Sequence, residues 1–205
     1  MRALIMAGGL GSRINLGEKP LISLCGQPMI QYVIDAFITA GLEPVVAASP
    51  KTPMTMNWCR AQGIDFIKTE SGDYINDMVD AVKILDERHS LFVCVSDIPC
   101  ITAEIIIKIG EAYRFSGKDA CSTWVPADVV HSFRCSMPYQ EQVDGVNACP
   151  AGINILRGDL IAQPQDELQI LLHEPGIALN VNTRDDLAKA ENFLKRQSLK
   201  KSAGF

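Results

Sequence analysis

The stretch that decides the fold of this chain reads Ala3-Leu-Ile-Met-Ala-Gly-Gly-Leu-Gly-Ser-Arg13, and Glu18-Lys19-Pro20-Leu21 follows it a few residues later. The apolar residues 3–7 predict a buried strand that leads into a glycine-rich turn. Because glycine has no Cβ, the backbone of such a turn can reach left-handed dihedrals and aim successive N–H groups at one point. N–H groups arranged in this way bind anions, so we predict a phosphate-binding turn directly after the first strand.

Two cations border this turn and strengthen the prediction of an anionic ligand. Arg13 and Lys19 would repel each other if nothing negative lay between them. A tight structural turn without a ligand explains the glycines but not the pair of cations. The stretch therefore predicts a binding site for a triphosphate.

The turn matches neither of two better-known phosphate motifs. A Walker A loop needs Gly-Lys-Ser/Thr, whereas the only Gly-Lys pair of this sequence, Gly117-Lys118, is followed by Asp119. The dinucleotide fingerprint G-x-G-x-x-G begins at Gly9 and Gly11 but has Ile14 in place of its third glycine. Both of these loop classes are therefore excluded.

Length and composition fit an α/β protein of one domain, which we expect to span residues 1–205. Apolar residues make up 47% of the chain, which is enough for one buried core. The formal net charge of −5 argues against a nucleic-acid partner, which needs a basic face. A local group of cations can still bind a small anion, so this charge balance is compatible with a nucleotide ligand.

Further expectations concern the compartment and metal chemistry. No stretch approaches the roughly 18–20 apolar residues of a membrane helix, so no integral membrane contact is expected. The N-terminal residues lack the apolar segment of a signal peptide, which leads us to expect a cytoplasmic protein. The seven cysteines form no C-x-x-C pair and are expected to be reduced residues, mostly of the core. None of the three histidines has ligand spacing to a cysteine, so no zinc site is expected.

Strand and helix patterns alternate along the chain, which predicts a mainly parallel sheet flanked by helices. The predicted strands are 3–7, 44–48, 64–68, 91–95, 120–125, 151–156 and 177–181. The predicted helices are 28–40, 53–62, 74–87 and 102–115, with a last helix capped by Thr183. The apolar spacing within 74–87 places on its buried face Ile75, Met78, Val79, Val82 and Leu85. Residues 126–149 are expected to form a loop-rich insertion with turns, in which one short strand is allowed.

Ligands of an open α/β sheet bind beyond the carboxyl ends of its strands, so the polar residues after each strand form the candidate site. Besides the glycine-rich turn, these candidates are Ser49 and Lys51, Thr69 with Ser71 and Gly72, and the pair Ser96-Asp97. Because they lie at strand ends, the backbone near Ala7–Gly8 and the side chains around Ser49 and 69–71 are the candidates for recognising the base of a nucleotide.

Asp97 follows the strand over 91–95, whose unbroken apolar run predicts a central strand buried on both faces. A carboxylate in this position is costly unless it forms a pair, caps a helix or holds a cation. Pro99 and Thr102 offer a better helix start, which leaves Asp97 available for the Mg²⁺ that accompanies a nucleoside triphosphate.

Small residues lead into the predicted strand over 151–156. Pro150-Ala151-Gly152 either packs closely against a neighbouring element or leaves room for a nucleotide or a bulky acceptor. Within this segment, Asn154 is the candidate for a ligand contact.

Taken in order, these residues resemble the nucleotidyltransferases with a Rossmann-like fold, whose signature is a strand followed by Gly-Gly-x-Gly-x-Arg and then Lys-Pro. The glycine turn identifies only this superfamily. Other stretches are more specific and look most like those of the archaeal adenosylcobinamide-phosphate guanylyltransferases. This resemblance spans nearly the whole chain. The matching stretches are Leu4-Ile-Met-Ala-Gly-Gly9, Gly17-Glu-Lys-Pro-Leu-Ile22 with Leu24-Cys-Gly26, Ser71-Gly72 with Tyr74-Ile75, Ser96-Asp97, Pro150-Ala-Gly-Ile-Asn154, and Asn182-Thr183 with Asp185-Asp-Leu187.

The resemblance implies a single-domain Rossmann-like nucleotidyltransferase fold of the α/β class and a reaction of GTP with a corrinoid phosphate. In that reaction the phosphate of adenosylcobinamide phosphate attacks the α-phosphorus of GTP, and pyrophosphate leaves. By matching motif, residues 8–13 would wrap the triphosphate, Arg13 and Lys19 would neutralise it, and Asp97 would hold Mg²⁺; these three are the expected catalytic residues. With the strand-end candidates, the expected nucleotide-binding residues are Ala7, Gly8, Gly9, Leu10, Gly11, Ser12, Arg13, Lys19, Ser49, Thr69, Ser71, Gly72, Asp97, Gly152 and Asn154.

One departure from the family pattern concerns the metal. Many relatives add a second metal carboxylate in a late Asp-x-Asp motif, whereas this chain has Asn180-Val-Asn182. The sequence thus departs from a two-carboxylate metal site.

Two alternatives remain open. Molybdenum-cofactor guanylyltransferases share the glycine loop, an acceptor phosphate and an Asn-x-Asn ending, and a nucleotide-binding regulator without turnover is an alternative from another class. Retention of Arg13, Lys19 and Asp97 argues against the regulator. The residues offered for an apolar corrinoid shelf are Val129, Val130, Phe133, Met137, Tyr139, Val143 and Val146. Over 126–156 the cations beside them are Arg134 and His131, and this balance favours a corrinoid over molybdopterin.

Overall fold

The computed structural model describes residues 1–9, 11, 14–133 and 139–203, in which helices flank a central sheet. The strands are β1 (Arg2–Met6), β2 (Ser23–Leu24), β3 (Gln27–Pro28), β4 (Glu43–Ala48), β5 (Phe66–Lys68), β6 (Ser90–Val95), β7 (Ala120–Pro126), β8 (Glu141–Val143), β9 (Val146–Arg157) and β10 (Glu167–Leu171). The α-helices are α1 (Met29–Thr39), α2 (Pro53–Gln62), α3 (Tyr74–Ile84), α4 (Ala103–Ser116), α5 (Ala127–Ser132), α6 (Pro175–Ala178) and α7 (Arg184–Ala203). Short 3₁₀ turns cover Lys19–Leu21 and Gly158–Leu160.

The central sheet has the strand order β10-β7-β9-β6-β1-β4-β5, and β8 pairs with β9 beside this path. Strand β1 lies parallel to β4 and β6, β4 to β5, and β7 to β10. Strand β9 runs antiparallel to both of its neighbours in the path. The prediction of a mainly parallel sheet flanked by helices is therefore confirmed.

The two faces of the sheet are covered by different helices. On β1, Ala3 and Ile5 point into a core that includes residues of α1, α2 and α4. Leu4 and Met6 point to the opposite face, where they pack with buried residues of α3. This alternation follows from the two-residue period of a strand, and it places α3 over the face that carries the candidate site.

The predicted strand over 177–181 is wrong. Helix α6 (Pro175–Ala178) occupies its start, and an irregular segment follows. The error has a physical cause: Ile177, Leu179 and Val181 are fully buried, and a short buried apolar run has no period that separates strand from helix. Pro175 favours the helix because it lies in the first helical turn, where its missing N–H costs nothing.

Strand β10 (Glu167–Leu171) was not predicted. It lies at the edge of the sheet and pairs only with β7 along the path. Its residues are partly exposed, so its sequence lacks the apolar run of a central strand.

The insertion over 126–149 is more regular than predicted. It contains helix α5 and a hairpin of β8 and the start of β9, with Val143 paired to Val146. Asp144 and Gly145 between them both have positive φ, at 49° and 76°, as a type I′ hairpin turn requires. The expectation of a loop-rich insertion is thus corrected by an Asp-Gly turn signal; residues 134–138, with Arg134, Cys135 and Met137, lie outside the described residues.

The cysteines follow their prediction over the described part of the chain. Cys59, Cys94, Cys100, Cys121 and Cys149 are buried and unpaired, and Cys25 is exposed. In the same described ranges, no helix combines the length and the apolar character needed to cross a lipid bilayer.

Candidate active site

A cleft of about 250 Å³ opens at the carboxyl ends of β1, β4 and β6, on the face that α3 covers. Its lining comes from strand ends, the glycine-rich turn and the first turns of α3. The lining residues are Met6, Gly8, Gly9, Lys19, Ala47, Gly72, Tyr74, Asp77, Val95, Ser96 and Asp97. The structure thus brings together six of the residues predicted from strand-end positions: Gly8, Gly9, Lys19, Gly72, Ser96 and Asp97.

The chemical centre of the cleft is an ion pair between Lys19 and Asp97. The Lys19 ammonium contacts the Oδ2 atom of Asp97, and only 12% of the Lys19 side chain and 16% of the Asp97 side chain are exposed. The second carboxylate oxygen, Oδ1, is buried and has no hydrogen-bond partner within the described ranges. A buried, unsatisfied carboxylate oxygen is unfavourable, so this atom is available to a cation or to a donor from a ligand.

Asn182 is a further partner of Lys19 that the sequence analysis did not include among the site residues. Its Oδ1 accepts a hydrogen bond of 2.8 Å from the Lys19 ammonium, and its Nδ2 donates one of 2.8 Å to Asn180 Oδ1. The second bond fixes the orientation of the Asn182 amide, so that its oxygen faces the lysine. The available signal was the Asn180-Val-Asn182 segment itself, which the resemblance had marked only as a departure from the expected metal-site pattern.

The segment that carries Asn182 is held by the start of α7. Asp186 Oδ2 accepts from the backbone N–H groups of Asn182 at 3.1 Å and Thr183 at 2.9 Å. The Thr183 hydroxyl in turn accepts from the Asp186 backbone N–H at 3.1 Å, which confirms the predicted helix cap at Thr183 and completes a capping box. On the other side, Val181 N–H donates to the Asp97 carbonyl at 2.8 Å.

The glycines of the turn serve two different needs. Gly11 has a left-handed φ of +63°, and a Cβ there would lie 3.0 Å from the Lys19 Cβ. Gly8 does not have a positive φ; a Cβ there would lie 3.2 Å from the Ser49 Cβ, so close packing requires this glycine. The left-handed dihedral expected of this turn is therefore found at Gly11, whereas for Gly8 the other expected reason for a glycine, a close approach to phosphate, stays a prediction. Leu10, Ser12 and Arg13 lie outside the described residues.

The turn after β5 is organised by Asp77 of α3. Its Oδ1 accepts from the Ser71 hydroxyl at 2.8 Å, from the Ser71 N–H at 3.0 Å and from the Gly72 N–H at 3.2 Å. Gly72 has a φ of +69°, and its carbonyl accepts a 3.3 Å hydrogen bond from the Lys51 ammonium. Ser71 thus serves to shape the turn, while Gly72 borders the cleft.

Helix α3 turns the predicted face inward except at Ile75, the first residue of that face, because Val79 and Leu85 pack with Met78 and Val82 in one core cluster whereas Ile75 does not. Ile75 is 58% exposed, whereas Asp77 is only 5% exposed. Met78 and Val82 are buried as predicted. The apolar pattern gave no weight to Asp77 because a carboxylate is rarely buried unless it has partners, and its three partners lie in a turn that the pattern could not place.

Tyr74, at the start of α3, also borders the cleft. Although 41% of Tyr74 is exposed, desolvation raises the pKa of its hydroxyl, and the neighbouring Cys94 and Asp97 add to the rise. Tyr74 therefore stays a neutral phenol at physiological pH, able to donate a hydrogen bond but not to act as a base.

Seven of the predicted ligand contacts that the structure describes lie outside the cleft lining: Gly11, Ser71 and Gly152, and four further residues, Ala7, Ser49, Thr69 and Asn154. Ala7 is buried, and its N–H pairs with the Ala47 carbonyl at 2.8 Å. Ser49 and Thr69 are buried as well, and their hydroxyls bond to the backbone carbonyls of Gly8 and Ala48. Asn154 lies deeper in the sheet and lines a separate cavity of about 270 Å³.

Gly152 supports the wall of the cleft from behind. It has a φ of +74°, and a Cβ there would lie 2.6 Å from Cγ2 of Val95, a lining residue. The close-packing alternative for Pro150-Ala151-Gly152 therefore has a concrete basis at this glycine.

This arrangement, a glycine turn and a Lys–Asp pair at the carboxyl edge of a mainly parallel sheet, is that of a nucleotidyltransferase, and comparison with known proteins agrees. Residues 3–188 match the family described as the MobA-like NTP transferase domain, and the chain belongs to that family of enzymes.

The chain is also similar to individual proteins, in sequence or in fold. The chain is 29% identical to the adenosylcobinamide-phosphate guanylyltransferase of Methanocaldococcus jannaschii, over 97% of this chain and 100% of that protein. Its fold is similar to the molybdopterin-guanine dinucleotide biosynthesis protein A of Archaeoglobus fulgidus, with a TM-score of 0.68, 17% identity, and coverage of 96% of this chain and 100% of that one. It is also similar to CMP:2-keto-3-deoxy-manno-octonic acid synthetase, with a TM-score of 0.71, 16% identity, and coverage of 96% and 99%.

Proposed function

We propose that this nucleotidyltransferase moves GMP from GTP onto the phosphate of adenosylcobinamide phosphate, giving adenosylcobinamide-GDP and pyrophosphate. The observation that carries the proposal is the 29% identity to an enzyme of that name over 97% of the chain and the whole of the relative. Such full-length similarity includes the segments on both sides of the Lys19–Asp97 pair.

The proposed chemistry suits the groups in the cleft. A phosphate oxygen of the acceptor forms a bond to the α-phosphorus of GTP, and the bond from that phosphorus to the oxygen of the leaving pyrophosphate breaks. The acceptor phosphate is already anionic at neutral pH, so the reaction requires no general base. Positioning and charge stabilisation account for most of the catalysis in reactions of this kind, and Lys19 with Arg13 would supply the positive charge.

We propose Asp97 as the residue that holds Mg²⁺. Its buried Oδ1 has no protein partner in the described ranges, and Mg²⁺ in nucleotide sites uses one or two carboxylates together with phosphate oxygens and water. When bound, the ion would partly neutralise the negative charge of the triphosphate. Through its ion pair with the Lys19 ammonium, Asp97 would also keep that lysine pointed into the cleft.

Guanylyl transfer to molybdopterin is the second candidate. The family description and the structural similarity to a molybdopterin-guanine dinucleotide biosynthesis protein favour it. The apolar shelf suggested for a corrinoid is less extensive than the sequence indicated, because Val130 and Val143 are buried in the core. Tyr139 and Val146 are exposed and remain available to an acceptor.

The two candidates are separated by a direct assay. The protein is incubated with labelled GTP and Mg²⁺ together with adenosylcobinamide phosphate or with molybdopterin, and pyrophosphate release and label transfer are followed. We expect transfer to adenosylcobinamide phosphate. Transfer to molybdopterin alone would replace the first proposal with the second.

Nucleotide preference tests the guanylyl part of the proposal. A site that forms hydrogen bonds with the edge of guanine leaves some of its buried polar groups without a partner when adenine binds. We therefore expect binding of GTP to be favoured over binding of ATP by about 10⁴-fold. Competition titrations with ATP, CTP and UTP measure it. Equal binding of ATP would contradict guanylyl transfer and leave nucleotidyl transfer standing.

A further inference from the structure

The carboxylate of Glu18, which lies in the segment after the glycine-rich turn, joins that segment to helix α2. Its Oε1 accepts from the Met54 N–H at 2.7 Å, and its Oε2 accepts from the Thr55 N–H at 2.7 Å and from the Thr55 hydroxyl at 2.6 Å. Thr52, the residue before the helix, gives no side-chain cap. Glu18 therefore caps α2 from a position 37 residues earlier in the chain.

This contact uses a place where phosphate could otherwise bind. The first turn of an α-helix presents free N–H groups and the positive end of the helix dipole, which together attract anions. In α2 the Glu18 carboxylate already accepts from these groups with both of its oxygens. The helix end thus serves to hold the chain segment that carries Glu18.

Little freedom separates Glu18 from the ion pair of the cleft. Lys19 is the next residue and begins the 3₁₀ turn Lys19–Leu21, in which Pro20 is buried and restricts the backbone. The Leu21 N–H donates to the Glu18 carbonyl at 3.0 Å, which closes this turn. A shift of Glu18 would therefore move the Lys19 backbone with it.

Lys19 in turn contacts the glycine-rich turn. A Cβ on Gly11 would lie 3.0 Å from the Lys19 Cβ and 3.2 Å from its Cα, so the two backbones are in close contact. The same lysine reaches Asp97 and Asn182 with its ammonium. The position of the Lys19 backbone thus affects both the turn and the ion pair.

We propose that Glu18 is a positioning residue for nucleotide binding, and that it acts through Lys19 by fixing that backbone against the first turn of α2. The inference rests on the proposed function, in which Lys19 contacts the triphosphate. Glu18 then has a role in nucleotide binding in addition to capping α2.

A double-mutant cycle tests this role. Titration calorimetry with GTP and Mg²⁺ compares wild type, Glu18→Gln, Lys19→Ala and the double variant. Glutamine has nearly the same shape but puts an NH₂ group against one of the helix N–H groups, so Glu18→Gln should weaken GTP binding about tenfold, as loss of a charge-assisted hydrogen bond does. In the Lys19→Ala background the same change should cost less than about twofold, because residues that act through one another are not additive.

The control removes a cap elsewhere. Thr102 caps α4 through a 3.4 Å hydrogen bond from the Ile105 N–H, and Thr102→Ala should have the same small effect with and without Lys19. Glu18→Asp keeps the carboxylate and should restore part of the binding; it replaces Glu18→Gln in the cycle if that variant does not fold. Thermal unfolding of every variant identifies effects of stability.

Each outcome decides between two roles. Equal losses from Glu18→Gln in both backgrounds, or no loss at all, would make Glu18 a structural cap and overturn the inference. Tighter binding of another nucleoside triphosphate would contradict guanylyl transfer, and the cycle is then measured with that nucleotide, so the two failures remain distinct. If the wild-type protein binds none of GTP, ATP, CTP and UTP, both the proposed function and the role of Glu18 are overturned.

Discussion

Lys19 and Asn182 lie 163 residues apart in the sequence, and the Lys19 ammonium donates a 2.8 Å hydrogen bond to the Asn182 side-chain oxygen. The same ammonium is paired with the Asp97 carboxylate. Because an amide is neutral, Asn182 orients the lysine without adding a second negative charge near the proposed triphosphate site. A carboxylate in its place would repel the phosphates unless an additional cation were present.

Replacement of Asn182 should therefore lower the turnover rate while having little effect on the free energy of unfolding. Asn182→Ala removes the oxygen that orients Lys19, and we expect turnover to fall about tenfold, as for loss of a hydrogen bond to a charged group. Steady-state kinetics measures the change. Asn147→Ala, at an exposed asparagine that bonds to Gln140, is the matched control and should leave the rate unchanged. Equal rates for the two variants would remove Asn182 from the site.

Asp97→Asn should change the dependence on Mg²⁺. The substitution keeps the shape of the side chain but removes the charge of the buried Oδ1, so we expect the Mg²⁺ concentration for half-maximal activity to rise at least about tenfold. Lys19, which loses its ion partner, should also be less well oriented, and the maximal rate should fall. Asp166→Asn removes a carboxylate from an exposed ion pair with Lys118 and serves as the control. An Asp97→Asn enzyme with the wild-type Mg²⁺ profile would leave Asp97 with a structural role only.

Gly152→Ala should destabilise the protein more than Gly117→Ala does. Both glycines have left-handed φ values, of +74° and +68°, but a Cβ meets a side chain within 4 Å only at Gly152. Gly117→Ala should cost about 1–2 kcal/mol of unfolding free energy for the backbone conformation. Gly152→Ala adds the contact with Val95, worth about 1–3 kcal/mol more, and Val95→Ala should relieve that excess. Denaturant unfolding of the single and double variants measures these differences, and equal losses at both glycines would contradict the packing at Val95.

The thiols should differ in reactivity. Burial raises the pKa of Cys59 to about 11 because the thiolate loses its hydration, whereas Cys25 is exposed. At pH 8 only about 0.1% of the Cys59 thiol is then ionised, and we expect iodoacetamide to modify Cys25 before Cys59. Raising the pH toward 11 should increase the labelling of Cys59. Peptide mapping by mass spectrometry gives the order, and unfolding in denaturant, which should label both, is the control; early labelling of Cys59 in the native protein would contradict its burial.

The central part of the site could be predicted because it follows from strand ends. Lys19 and Asp97 come after two apolar strands that lie side by side in parallel, and the carboxyl ends of such strands meet at one edge. Gly72 reaches the cleft by the same rule. The mainly parallel sheet itself follows from alternating apolar runs and amphipathic helices.

The remaining contacts depend on segments without a regular period. Asn182 follows a buried irregular segment whose apolar residues look like those of a strand, so its partner could not be inferred from spacing. Asp77 interrupts the apolar face of α3 and is explained only by the turn that it binds. The capping contact of Glu18 joins two elements whose relative position no local pattern contains.

The hydrogen bond between Lys19 and Asn182 also has a consequence for the order in which the site forms during translation. The ribosome makes the glycine turn, Glu18 and Lys19 early, and Asp97 emerges well before Asn182 does. A nascent chain that has emerged only as far as α4 contains Lys19 and Asp97 but lacks the amide that orients the lysine in the full chain. Completion of the site therefore waits for the segment before α7, so an interrupted chain that folds its first six strands still lacks this part of the site.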